Sequence, residues 1–131
     1  MNIPINPTPQ PYRHPLELCN IQLYSTGSRG KVFTNHFYRS MNHNFGVEMQ
    51  IRNNTSQLQI VRIGGRIYDS LGNTVIKWNT ATKQISARCS VTHDFFVRES
   101  TFSTMRDGKY KVQFWINGER VQKDFFTVSY K

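Results

Sequence analysis

DGKYKVQFWINGERVQKDFFTVSYK, residues 107–131, is the stretch that decides the fold class. Tyr110, Val112, Phe114 and Ile116 alternate with Lys109, Lys111, Gln113 and Trp115. Period-two alternation belongs to a strand with one face in a core and the other in water. Asn117-Gly118 follows, a pair that accepts the positive φ angles of a two-residue hairpin turn. A second β-rich run, Val121 to Tyr130, then returns along the first. A plain two-residue turn pairs Phe114 with Val121 and Tyr110 with Phe125, and it puts Lys123 on the core side. A bulge near Asp124-Phe125-Phe126 turns Phe126, Val128 and Tyr130 inward instead, and this is the register expected.

Upstream, the same alternation recurs. Cys89, Val91, His93, Phe95 and Val97 alternate with Ser90, Thr92, Asp94, Phe96 and Arg98. Leu58 to Tyr68 puts Val61, Ile63 and Ile67 on one face and Arg62 and Arg66 on the other. Gly64-Gly65 within it marks a bulge or a close backbone approach. Phe45 to Arg52 alternates cleanly, and Leu16 to Tyr24 does so with a phase slip at Cys19-Asn20 that signals a bulge. Lys31 to Arg39, carrying Phe33 and Phe37, reads as one short edge strand. Asp69 to Asn73 turns the chain into a strand from Thr74 to Trp78. Ser25 to Gly30 and Asn79 to Gln84 read as loops, and Ser100 to Met105 as a short helical turn. Seven to eight strands, turn signals between them and no helical period give an all-β, antiparallel two-sheet sandwich.

The chain has 131 residues, enough for one domain that buries a core without disulfides or metal. All five prolines fall in the first fifteen residues. Residues 1–15 therefore read as a proline-rich tail and residues 16–131 as the domain. No run of apolar residues is long enough to span a membrane. The chain opens without a basic segment followed by an apolar one, so a cytoplasmic location is expected. Cys19 and Cys89 sit in strand-like runs and read as buried, reduced thiols, with an inter-strand disulfide as the alternative.

The segment MRDGKYKV, residues 105–112, resembles the corner before strand F of immunoglobulin-like sandwiches. In that corner a tyrosine hydroxyl bonds back to upstream backbone. The resemblance makes Tyr110 the corner tyrosine, with Asp107 one residue nearer to it than in antibody domains. It puts Val112 where antibody domains carry a cysteine, so their inter-sheet disulfide is not implied. More broadly, FGVEMQIRNN, IYDSLGNTV, GKYKVQFWING and FFTV are similar to pieces of bacterial immunoglobulin- or fibronectin-type modules. The resemblance implies an immunoglobulin-like fold and a non-catalytic module that makes contacts beside other domains. The same turn and ending also occur in small proteinase-inhibitor sandwiches, which leaves an inhibitor-like protein acting through a loop as an alternative.

Little in the sequence points to catalysis, metal or cofactor, and none is expected. His14, His36, His43 and His93 have no metal-ligand spacing. Ser90, His93 and Asp94 are close in sequence, but adjacent strand residues such as His93 and Asp94 face opposite ways and cannot form a relay. Asp69 and Asp107 are explained by the turns they open. The small, basic stretch from Ser25 to Lys31 could cradle an anion with its amides, but it lacks phosphate-loop spacing and reads as a connecting loop.

Charge gives the sharper expectation. Lys and Arg number 17 against 8 Asp and Glu, a net +9. With the alternating apolar residues inward, Arg62, Arg66, Lys109, Lys111 and Trp115 share an outer sheet face, and Tyr68 shares their parity. Such a face suits a protein partner first, an acidic one included, with binding of the phosphates and bases of a nucleic acid as the alternative. The plain alternative is a solvated face on which Trp115 packs over cationic stems.

Overall fold

A computed structural model describes residues 14–27, 30–42 and 44–131. The proline-bearing stretch through Arg13, the residues Ser28 and Arg29, and His43 lie outside the described residues. The elements are β1 (Leu16–Gly27), β2 (Gly30–Phe33), β3 (His36–Tyr38), β4 (Phe45–Asn53), β5 (Gln59–Tyr68), β6 (Thr74–Lys77), β7 (Ala81–Ile85), β8 (Ser90–Val97), α1 (Glu99–Phe102), β9 (Gly108–Ile116) and β10 (Glu119–Ser129). The fold is all-β and built of two sheets. The smaller runs β2-β1-β4-β8; the larger runs β3-β10-β9-β5-β6, with β7 also pairing on β5. Every described ladder is antiparallel except β3 on β10.

One apolar cluster fills the space between the sheets. It takes Val47, Met49 and Ile51 from β4, Val61, Ile63 and Ile67 from β5, and Tyr110, Val112, Phe114 and Ile116 from β9. These are the inward residues that alternation picks out. At one end Phe37, Phe45, Phe102 and Phe126 pack ring on ring, with Phe37 stacked on Phe45 at 4.6 Å. At the other, Trp78 stacks on Phe95 at 4.8 Å, and its indole donates to the Phe96 carbonyl at 2.9 Å, so one side chain ties the two sheets.

The structure differs from the sequence reading in several places. Among the described residues there are ten strands, not seven or eight, and one ladder, β3 on β10, is parallel. Lys31 to Arg39 is two strands in two sheets. Phe33 stays on the surface, while Phe37 is wholly buried, and the chain crosses between them: Thr34 N–H bonds to Leu23 O in the smaller sheet and Asn35 O accepts from Thr127 in the larger. Asn79 to Gln84 is not simply a loop, because Ala81–Ile85 pairs along β5 with Ile85 in the core; its polar residues are those of an edge strand. The bulge in β10 lies at Arg120–Gln122, not at Asp124–Phe126, so Tyr110 pairs with Phe126 and Phe114 with Gln122. Phe126 and Val128 turn inward as expected, but Tyr130 remains exposed.

Other expectations hold locally. The Cys19–Gln22 register shift, with Asn20 at φ 53°, is the bulge signalled in β1. Asn117 and Gly118 both have positive φ, at 51° and 82°. Gly65 marks a close approach: a Cβ there would sit 2.8 Å from the Trp78 ring. The cysteines are free, but neither is fully buried, and Cys89 is exposed. Among the described residues no helix is long and apolar enough to cross a membrane.

Candidate functional site

The outer face of the larger sheet is organised in rungs by the strand pairing. One rung runs Lys77, Arg66, Gln113, Lys123 across β6, β5, β9 and β10. The next holds Tyr68, Lys111 and Phe125. Beyond it lies Lys109, opposite Thr127 and, through it, His36. On the other side Trp115 sits between Gly64 and Arg120, with Arg62 beside the hairpin turn. Two-residue steps of about 6.8 Å separate the rungs, so the face runs about 20 Å from Lys109 to Trp115.

Cations and rings touch on this face. The Arg66 guanidinium lies 5.6 Å from the Trp115 ring centre, the Lys111 ammonium 5.1 Å from Tyr68, and the Lys123 ammonium 5.9 Å from Phe125. None of Arg62, Arg66, Lys77, Lys109, Lys111 and Lys123 forms an ion pair among the described residues. No carboxylate occupies an outward position in these rungs. Gln113, only 5% exposed at the centre, spends its amide on the Gln122 and Phe114 carbonyls and locks the bulge beneath the charged surface.

The six sequence-predicted residues, Arg62, Arg66, Tyr68, Lys109, Lys111 and Trp115, thus share one sheet face but divide into three groups. Arg62, Arg66 and Trp115 line a cleft of about 310 Å³ with Lys77, Trp78 and Thr80. Tyr68 and Lys111 form the middle pair, and Lys109 stands near His36 and Phe125 at the far end. The backbone fixes the cleft's floor: the Asn117 side chain accepts from Arg62 N–H at 2.9 Å, and Asn117 N–H donates to Arg62 O at 2.8 Å. Lys77, Lys123 and Phe125 were missed. Lys77 lies on a strand too short to show alternation. Lys123 and Phe125 depended on placing the bulge four residues earlier, a choice that the buried Gln113 amide makes and no local pattern announces.

The smaller sheet carries a different arrangement. Tyr24 reaches across Gly46, where a Cβ would meet its hydroxyl at 2.5 Å, and donates to Asp94 at 2.7 Å. Lys31 bonds Asp94 at 2.8 Å and Glu48 at 2.5 Å. Burial, then the bond to Asp94, pushes the Tyr24 hydroxyl far up; the bonds to Asp94 and Glu48 raise Lys31. Burial acts to raise the Asp94 carboxyl, but the bonds from Lys31 and Tyr24 outweigh it and hold it low. His93 faces the opposite way, toward the core edge against Phe95; burial and then Lys83 hold its imidazole below the usual value, and its Nε2 is buried with no partner. The strand thus separates His93 from Asp94 as alternation requires. Of the Ser25–Lys31 stretch, all but Ser28 and Arg29 is described, and it forms the end of the β1–β2 hairpin.

Solved structures share the fold at low identity. A Pseudomonas fluorescens alkylpurine DNA glycosylase bound to DNA with an abasic site analogue matches at 12% identity and a TM-score of 0.63, over 88% of this chain and 30% of its own. β-Glucosidases from Erythrobacter marinus, at 10% identity and 0.65, and Listeria innocua, at 14% and 0.61, match 86% and 87% of this chain and 15% and 16% of theirs. The chain therefore spans less than a third of the length of these three proteins. No family model matches the sequence, and no curated protein matches it.

Proposed function

We propose that this chain is a non-catalytic, immunoglobulin-like interaction module that binds an acidic macromolecular partner through the outer face of its larger sheet. The observation that carries the reading is the set of seven cations on that face, Arg62, Arg66, Lys77, Lys109, Lys111, Arg120 and Lys123, with no carboxylate among them in the described residues. Two cations elsewhere do meet carboxylates: Lys31 bridges Asp94 and Glu48, and Arg39 meets Asp107 at 2.5 Å. Leaving like charges side by side on one face costs self-repulsion, which an acidic partner relieves.

The immunoglobulin-like assignment is supported by order and corner. β1, β4 and β8 lie side by side as strands A, B and E do, and β10, β9 and β5 as G, F and C do. The Tyr110 hydroxyl donates to the Arg106 carbonyl at 2.6 Å just before β9, as a corner tyrosine does. The non-catalytic reading is supported by Tyr24, Lys31 and Asp94, whose hydrogen bonds are spent on one another. The free thiols suit the cytoplasmic setting. Neighbours of such different activity leave the fold silent about the partner.

Retention on immobilised heparin and binding to poly-L-glutamate test the reading. The wild type is expected to bind both and to release them as salt rises. The double variant Arg66→Glu/Lys111→Glu is expected to lose retention, while Arg98→Glu/Lys131→Glu, with the same change in net charge off this face, keeps most of it. Equal loss in both variants would sink the reading in favour of diffuse charge.

A further inference from the structure

We infer that the partner of this face is a single-stranded nucleic acid, held by its phosphates on the cations and by bases stacked on Tyr68, Trp115 and Phe125. This rests on the reading of the face as a site for an acidic macromolecule and narrows it to one class. Cations alone attract any polyanion, but rings are not needed for that. Phe125 is 54% exposed at the β10 end of its rung, touched on that face only by the Lys123 ammonium among the described residues. It shares a rung with Tyr68, and Lys111 stands between them. Ring and charge thus alternate across this rung, and along β5 and β10 Arg66 precedes Tyr68 and Lys123 precedes Phe125, a mixture that grips a strand without reading sequence.

The shape argues the same way. Four paired strands from β6 to β10 make a face about 14 Å wide at the spacing of strands in a sheet, and β3 widens it further. A duplex major groove is about 12 Å wide and admits a helix or a two-stranded ribbon, so this sheet cannot enter one. A splayed strand presents unstacked bases to a flat surface instead. Rungs about 6.8 Å apart are a step that one extended nucleotide can span. The cleft beside Trp115, with Arg62, Arg66, Lys77 and Thr80 around it, places phosphate donors next to a stacking ring.

Fluorescence anisotropy with labelled oligothymidylate and oligouridylate of about twelve nucleotides, within the range one small β-module covers, tests this. With four to six phosphates contacted, log affinity should fall against log salt with a slope of about −3 to −4. Phe125→Ala, at an exposed position, should weaken oligonucleotide binding about 5- to 100-fold, as should Trp115→Leu. Both should leave heparin retention and the urea midpoint of Phe125→Ala unchanged. Lys111→Glu should weaken both ligands. Ring-dependent binding of either oligonucleotide meets the expectation, and their ratio assigns DNA or RNA. If the ring variants bind like wild type, or if duplex competes equally, the inference fails and the acidic-partner reading stands. Binding of no polyanion at all overturns both.

Discussion

At the scale of the residue, adjacent glycines in β5 do different work. A Cβ on Gly65 would lie 2.8 Å from the Trp78 ring and 3.1 Å from Phe95, whereas one on Gly64 meets only Trp115 Cβ at 3.8 Å. Gly65→Ala is therefore expected to lose about 1–3 kcal/mol by overpacking, and Gly64→Ala to stay near wild type, as read by urea denaturation. The pair could be flagged from sequence as a bulge or close approach, but which glycine is pressed depends on Trp78, thirteen residues on. His93 gives a pH signature. Its imidazole is half-buried, with a buried, unpartnered Nε2 and a lowered pKa, while the unfolded chain takes up a proton near the ordinary 6.5. The unfolded state then binds more protons as pH falls through that value, so stability drops with acid and levels off below the folded pKa. Urea midpoints from about pH 7.5 to 5.5 should fall more steeply for wild type than for His93→Met; parallel profiles would remove His93 from the account.

At the scale of the element, the closing hairpin sets which side chains reach the surface. Val121 is the extra residue of the bulge between Arg120 and Gln122. Deleting it would leave a regular ladder with the same pairs, so Lys123 and Phe125 stay outward and Phe126 and Val128 inward, whereas one residue added further along β10 would turn every later side chain over. Deleting Val121 is therefore expected to keep a cooperative urea transition, and inserting one residue between Lys123 and Asp124 to abolish it; the reverse outcome would contradict the register. The strand pattern of β4, β5, β8 and β9 was legible because each buries one face cleanly. The crossing at Thr34-Asn35 was not, since three-residue β3 is defined by Phe37 meeting Phe45 and Phe126 across the sandwich. Nor was β7, whose polar surface conceals a single buried Ile85. Sequence found the Arg62, Arg66 and Trp115 end of the face from parity alone, but the Lys123 and Phe125 edge required the bulge.

At the scale of the whole molecule, 17 Lys and Arg against 8 Asp and Glu is less informative than their distribution. The smaller sheet joins Lys31 to Asp94 and Glu48, while the outer face of the larger sheet holds seven cations with no ion pair among the described residues, beside three rings. The sandwich-like frame recurs in proteins of unrelated activity, so the face rather than the fold carries the functional reading. Mapping that face directly is the most decisive measurement. Amide chemical shifts of the labelled protein, followed through a titration with oligothymidylate at low salt, are predicted to move along β5, β9 and β10 from Lys109 to Trp115, together with the indole signal of Trp115. Shifts spread evenly over cationic residues of both sheets, or centred on the Tyr24–Asp94 cluster of the smaller one, would contradict the account.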